Sequence, residues 1–348
     1  MEACFFQHIL NFKRPGGTSR GVLKTKETYI LEISENEKKG IGECGLFRGL
    51  SFDDVPEYEE KLQWLCENIN EKTSFLKEEL KYFPSIWFGY EQAVLNLKYG
   101  KDLYFPSEFT EGKKSIEING LIWMGDEGFM KEQIQEKLDK GFHCIKLKIG
   151  VNWNSEHEIL KNLRRHFSKE KLELRVDANG GFSFDEAKSV LQELADLDIH
   201  SIEQPIKSEV GSWKLEVGSS EEERWSKMAE LCRITPTPIA LDEELIGIVE
   251  ISEKKKLLEI IQPQYIILKP SLIGGISGSD EWISLAENLG IGWWITSALE
   301  SNIGLNAIAQ YTFTKKPKIP QGLGTGALFT NNFDSQLYLE GDKLWHQQ

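Results

Sequence analysis

Six polar residues recur at nearly even spacing through the second half of the chain: Lys148, Asp177, Glu203, Asp242, Lys269 and Ser297, separated by 29, 26, 39, 27 and 28 residues. If they converge, three carboxylates meet in one place and repel one another unless a hard cation sits between them. Mg²⁺ takes oxygen ligands in an octahedron and leaves positions for substrate oxygens, so Asp177, Glu203 and Asp242 are candidate ligands for Mg²⁺, with Mn²⁺ not distinguishable from it by sequence. A metal that holds a substrate carboxylate stabilises the negative charge formed when the adjacent carbon loses a proton. A lysine can take that proton only when neutral, and the ordinary lysine pKa of about 10.4 is too high for this at neutral pH. In GFHCIKLKIG, residues 141 to 150, apolar and polar residues alternate as in a strand, so Lys146 and Lys148 share one face. Lys146 would supply the neighbouring cation that, with the metal and desolvation, pulls the Lys148 pKa down.

Each residue alone has a plainer reading. Paired lysines suit the wet face of an edge strand. An Asp at a strand end suits a turn or a helix cap. Glu203 before Gln204-Pro205 could simply end a strand, and Lys269 before Pro270 could be an exposed loop residue. Their shared register favours the site, because independent caps have no reason to fall in consecutive units.

The elements that must position them change character along the chain. Up to about residue 110, strands and helices mix: KETYILEIS and GIGECG form a hairpin across ENEKKG, Ser51 to Asp54 reads as a capping box for YEEKLQWLCENI, and SIWFGYEQAVLNLKYG reads as a helix ending at Gly100. From about residue 115, eight strand-like segments, SIEINGLIWM to IPQGLG, alternate with seven amphipathic helices. That rhythm implies parallel pairing and matches a (β/α)₈ barrel, whose strand C-termini form the only open mouth. A doubly wound open sheet is the alternative, but no GxGxxG follows the first strand. The long gap holds the extra loop KSEVGSWKLEVGSS. The expected organisation is an N-terminal α+β domain, 1–112, a barrel, 113–325, and a tail, 326–348, whose EGDK turn returns it to the first domain.

Composition narrows the partners. With 348 residues, 40% hydrophobic and 28% charged, the chain can bury a large core. A net charge of −14 repels phosphate backbones, so nucleic acid is not expected. Membrane association is not expected either, since no apolar run approaches the roughly 18 residues of a span. MEACFFQHILNFKRPGG has no basic lead before its apolar stretch and does not read as a secretory signal. Five cysteines without a CxxC pair suggest reduced thiols and a cytoplasmic location. A small-molecule carboxylate remains as partner, and oligomeric state stays open.

Lys-Leu-Lys148, Val-Asp177-Ala-Asn179, Ile-Glu203-Gln-Pro, Leu-Asp242-Glu-Glu and Leu-Lys269-Pro together resemble the muconate-lactonizing-enzyme subgroup of the enolase superfamily, over nearly the whole chain. The resemblance implies a modified (β/α)₈ TIM barrel beneath an α+β capping domain. It also implies Mg²⁺ on the three carboxylates, with Lys148 and Lys269 on opposite sides of the substrate. Racemisation, cycloisomerisation and syn elimination of water are all open to such a pair. The segments GECGLFRGLSFDD, 42 to 54, and TSALESNIGLNA, 296 to 307, resemble those of the subgroup's dehydratases, where a serine in the place of Ser297 lies near a second substrate carboxylate. Dipeptide epimerases of the subgroup carry a DxD pair after the eighth strand, and Gly322 to Leu328 has no acid. A dehydratase is therefore the implied activity, with Lys148 as base and then acid and the Lys269 ammonium holding the ene-diolate. An N-acylamino-acid racemase or dipeptide epimerase is the alternative, and an inactive barrel used as a binding module is one of another class. Asn179 and Arg175 would stand behind the ligands, although Arg175 equally suits an interior charge pair. Arg20, in GGTSRG, would sense substrate charge from a cap loop or lie at the surface. Of Trp293 and Trp294, one is expected in the core and one beside the pocket, while His143 and His200 read as structural.

Overall fold

The computed structural model describes residues 1–18, 21–208 and 221–347. The chain opens as a long antiparallel hairpin, β1 (Glu2–Thr18) with β2 (Gly21–Glu35), extended by β3 (Lys38–Cys44). The expected hairpin is the β2–β3 pair, turned at Asn36 with φ 57°. Sequence pattern does not reveal β1, because Phe5-Phe6 and Ile9-Leu10 put apolar side chains on both faces and hide the period of two. Helices α1 (Tyr58–Glu67), α2 (Thr73–Glu79) and α3 (Pro84–Tyr99) cover this sheet. α3 starts with proline at its first position and stops at Gly100, φ 72°. It meets β3 so closely that a Cβ on Gly42 would lie 1.9 Å from the Gly89 carbonyl oxygen.

The capping box at Ser51 does not form. Ser51 Oγ accepts from Phe47 N, and Asp54 ties Arg48 and Gly49, so this stretch folds on itself and α1 begins later, without a side-chain cap. Asp53 instead secures the start of α3, accepting from Ser85 N at 2.9 Å and Ser85 Oγ at 2.7 Å.

After the short strand β4 (Ile116–Glu117), strands and helices alternate: β5 (Gly120–Ile122), α4 (Glu127–Asp139), β6 (Cys144–Lys148), α5 (Trp153–His166), β7 (Glu173–Asp177), α6 (Phe184–Asp196) and β8 (Ser201–Glu203). The series continues through α7 (Glu221–Ile234), β9 (Ile239–Leu241), α8 (Ile251–Ile261), β10 (Tyr265–Leu268), α9 (Gly275–Asn288), β11 (Gly292–Ile295) and α10 (Asn302–Thr314). β5 to β11 form one seven-stranded parallel sheet in chain order, as short right-handed crossovers require. The expected eighth strand is not one. Gln321 and Gly322 close the ring through isolated parallel bridges to Ile118 and Thr296, because Pro320 has no N–H to donate and glycines follow at 322 and 324.

The helices bury apolar stripes, such as Ala187, Val190, Leu191 and Leu194 of α6, against outward-facing strand residues including Ile145, Leu147, Leu174, Val176 and Ile202. α6 carries a full Ser183/Glu186 capping box. After the barrel, the tail bonds to β1 through Lys13 N to Leu328 O and Thr330 N to Asn11 O. It then turns at Gly341 between β12 (Leu337–Glu340) and β13 (Lys343–His346), and β13 pairs with β4. No helix among the described residues is long and apolar enough to cross a membrane.

Two glutamates of the N-terminal region reach barrel helices. Glu43 of β3 accepts from Ser301 N and Gly304 N at the start of α10, and Glu91 of α3 accepts from Ile276 N and Ser277 N at the start of α9. Each satisfies N–H groups that a helix start leaves without partners and places a carboxylate at the positive end of the dipole.

Gly42→Ala should destabilise the protein by about 3 kcal/mol or more, since backbone faces the new methyl. A lower urea midpoint with unchanged m would show it. Burial pushes the Asp53 carboxyl up to about 7, against the bonds from Ser85 that pull it down. Between about pH 4 and 7 the folded protein therefore holds a proton that the unfolded chain has lost, and stability falls as pH rises through that window. Urea titrations across it should show a loss on the order of 2–4 kcal/mol that Asp53→Asn largely removes.

Candidate active site

β6 is an interior strand between β5 and β7, with every residue buried, so its lysines are not the wet face of an edge. The alternation separates an outer face under helices from a polar barrel interior. Pairing of Lys148 with Asp177, and of Asp177 with Glu203, sets the lysine and the two carboxylates level across three strands. Asp242 follows β9, and Lys269 follows β10.

Lys146 Nζ donates to Glu203 Oε2 at 2.6 Å and to Asp177 Oδ2 at 3.3 Å. Lys148 Nζ donates to Asp177 Oδ2 at 2.9 Å and to Asn179 Oδ1 at 2.7 Å. Lys269 Nζ donates to Asp242 Oδ2 and lies 3.8 Å from Glu203 Oε1. Ammonium and carboxylate groups thus alternate around the mouth. Burial raises the Asp177 carboxyl, but Lys148, Lys146 and Lys269 outweigh it and hold this group well below the usual carboxylate range. Glu203 is pushed up to about 7 by burial and the Asp177 charge, and burial also raises Asp242. Burial works against charge on Lys146, yet Glu203 and Asp177 keep it above the ordinary lysine value.

Among the described residues no three acidic, histidine or cysteine side chains form a ready-made cage, since the carboxylates turn onto lysines. The donor set nevertheless suits a hard divalent cation. Glu203 Oε1 is buried without a hydrogen bond, and Glu203 is raised by burial and then by the Asp177 charge, the second of which a cation would offset.

Asn179 adopts φ 44° and also donates to Glu243 Oε1, so it orients Lys148. Gln204, not singled out by sequence, holds the Asp242 backbone: its Oε1 accepts from Asp242 N and Glu244 N. A cavity of about 80 Å³ lies over the charges, walled by Leu23, Phe47, Leu50, Trp123, Ser297 and Thr325 among others. Ser297 Oγ shares a 2.6 Å hydrogen bond with Thr325 Oγ1 there. Arg175 lies a layer lower as part of an interior charge pair, bonded to Glu173 and the Pro320 carbonyl and stacked 4.6 Å from the Trp294 ring. Of the two tryptophans one lies in the core as expected, but the other does not reach the cavity. Trp294 is in the barrel core and Trp293 bonds Glu287 outside, whereas Trp123, one residue past β5, forms the wall. His143 pairs with Asp342, and His200 bonds Ser201 and packs on Tyr265. Arg20 lies outside the described residues.

Residues 129–331 match the family model described as Enolase C-terminal domain-like. The chain belongs to the enolase superfamily. Among superfamily members, it is 42% identical to an o-succinylbenzoate synthase of Desulfotalea psychrophila, over 99% of this chain and 98% of that protein. The crystal structure of MenC from Desulfotalea psychrophila LSv54 superposes with a TM-score of 0.85 at 39% identity, covering 99% of each chain. A superfamily L-Ala-D/L-Glu epimerase of Francisella tularensis subsp. novicida is 26% identical over 83% of this chain and 80% of its own. The superfamily's capped barrel is the fold described above.

Lys146→Met should strand buried carboxylates without their counter-ion and cost about 3–5 kcal/mol in chelator-treated protein. Differential scanning calorimetry should then show a larger Tm gain on adding Mg²⁺ for the variant than for the wild type.

Proposed function

We propose that the chain catalyses the Mg²⁺-dependent syn dehydration of 2-succinyl-6-hydroxy-2,4-cyclohexadiene-1-carboxylate to o-succinylbenzoate, the dehydratase step of menaquinone biosynthesis. It is a carbon–oxygen lyase. Identity of 42% to an o-succinylbenzoate synthase along essentially its whole length carries this reading. The cavity supports it over the dipeptide epimerases, because Gly322, Gly324 and Thr325 wall the position after the barrel's closing segment and offer no carboxylate for an ammonium group.

Asp177, Glu203 and Asp242 would hold the cation, which when bound neutralises the ring carboxylate and the charge that develops on it. Lys148 takes the proton from the carbon bearing that carboxylate. Its Nζ is aimed by Asn179, and its neighbour Lys146 stays cationic through Glu203. The Lys269 ammonium, on the other side of the carboxylates, offsets the negative charge of the ene-diolate. The electron pair then expels the hydroxyl from C6 on the face that Lys148 occupies. Lys148 returns its proton to that hydroxyl, water leaves, and the ring becomes aromatic. Leu23, Phe47, Leu50 and Trp123 exclude bulk water from the reacting face. The five cysteines form no disulfide, as a reducing cytoplasm would leave them.

Purified enzyme with Mg²⁺ should convert the cyclohexadiene to a product with aromatic absorbance. Lys148→Ala and Lys269→Ala should each lower kcat by at least about 10³-fold while the far-ultraviolet circular dichroism stays unchanged. Folded, metal-loaded wild type that gives no turnover would overturn the dehydratase reading in favour of N-acylamino acids or dipeptides.

A further inference from the structure

A second cavity, of about 310 Å³, adjoins the catalytic one and shares with it the walls Asn119, Leu121, Trp123 and Gly324. Trp123 is the partition. Lys148 Nζ stands 5.9 Å from its ring on one side, and a Cβ on Gly16 of β1 would meet the same ring at 3.0 Å. Three cations line this outer chamber: Lys13, Arg14 and Lys137. Among the described residues none of them forms an ion pair, and the one carboxylate in the lining, Glu136, is bonded to Lys140 at 2.7 Å.

Lys13 and Arg14 face the chamber because of a break in the hairpin. Pairing of β1 with β2 jumps from Asn11–Thr25 to Gly16–Leu23, so residues 12 to 15 stand opposite a single partner residue and bulge from the ladder. A bulge re-aims side chains, and this one is pinned by Lys13 N to Leu328 O and by the Phe12–Phe329 bridge. Three cations without a close ion pair, facing only the Glu136 carboxylate among the lining residues, are unexpected beside the catalytic pocket of a chain of net charge −14, which repels anions at long range.

We propose that this chamber is a vestibule that captures the dianionic form of a small dicarboxylate and passes it around Trp123 to the catalytic pocket. The inference rests on the dehydratase reading, whose substrate and product both carry two carboxylates. Local positive potential raises the concentration of a dianion at the mouth and speeds its encounter, without touching the chemical step.

The test is steady-state kinetics of Lys13→Glu/Arg14→Glu and, separately, Lys137→Glu, at low and high ionic strength. Lys38→Glu/Lys39→Glu, at the start of β3 and outside both cavities, serves as the control matched in net charge to the double variant. The vestibule variants should lose about tenfold in kcat/KM at low salt, keep kcat, and show a flatter salt dependence than wild type, while the control matches wild type. Wild-type kcat/KM and salt dependence in both vestibule variants, or an equal loss in the control, would overturn the proposal. Should wild type show no turnover, the dehydratase reading fails instead. Equilibrium dialysis of o-succinylbenzoate then decides the vestibule, supported by an approximately tenfold weakening in the variants alone and refuted by equal binding.

Discussion

The structure depends on a charge arrangement that no single strand can sustain. Lys146, Lys148, Asp177, Glu203, Asp242 and Lys269 are all buried or nearly so, and each charge finds its opposite on or beyond a different strand. Burying such groups costs several kcal/mol apiece, and removing one partner strands another. Strand register is therefore set by electrostatics as much as by packing. A slip of one residue between β6 and β7 would turn Lys148 toward the apolar helix layer and leave Asp177 without it. The outer shell of Ile, Leu and Val supplies the stability that allows this interior to persist.

The cap is seated by the same economy. Glu43 and Glu91 occupy the starts of α10 and α9, the helices that follow β11 and β10, so the cap grips the side of the barrel that presents Lys269 and Ser297. From there Leu23, Phe47 and Leu50 reach the catalytic cavity as an apolar roof. Charge comes from the barrel and dryness from the cap, and the chemistry needs both.

Much of this was legible in the sequence because the barrel has a repeating unit. The spacing of Lys148, Asp177, Glu203, Asp242 and Lys269 points to one mouth from sequence alone, since strand ends in consecutive βα units must face one opening. IPQGLG occupies a strand's place without a strand's hydrogen bonds, so its pattern alone reads as an eighth strand that the fold does not form. Arg175 shares its face with Asp177, yet two residues along a strand is a full layer of the barrel, and it bonds downward to Glu173. Trp123, Phe47 and Leu23 carry no chemical signature, and only the folded geometry makes them walls. Glu43 and Glu91 were silent because their partners lie far away along the chain.

The bonds from residues 328 to 330 back to Lys13 and Asn11 join the first strand to a segment that follows the whole barrel in the chain. On the ribosome β1 and β2 emerge with their hairpin lacking its anchor, since the segment that fixes the bulge is made only after the barrel. The barrel helices that Glu43 and Glu91 cap also come late. Native seating of the cap therefore waits for the barrel to be made, and until then the apolar face of β1 depends on protection by other means.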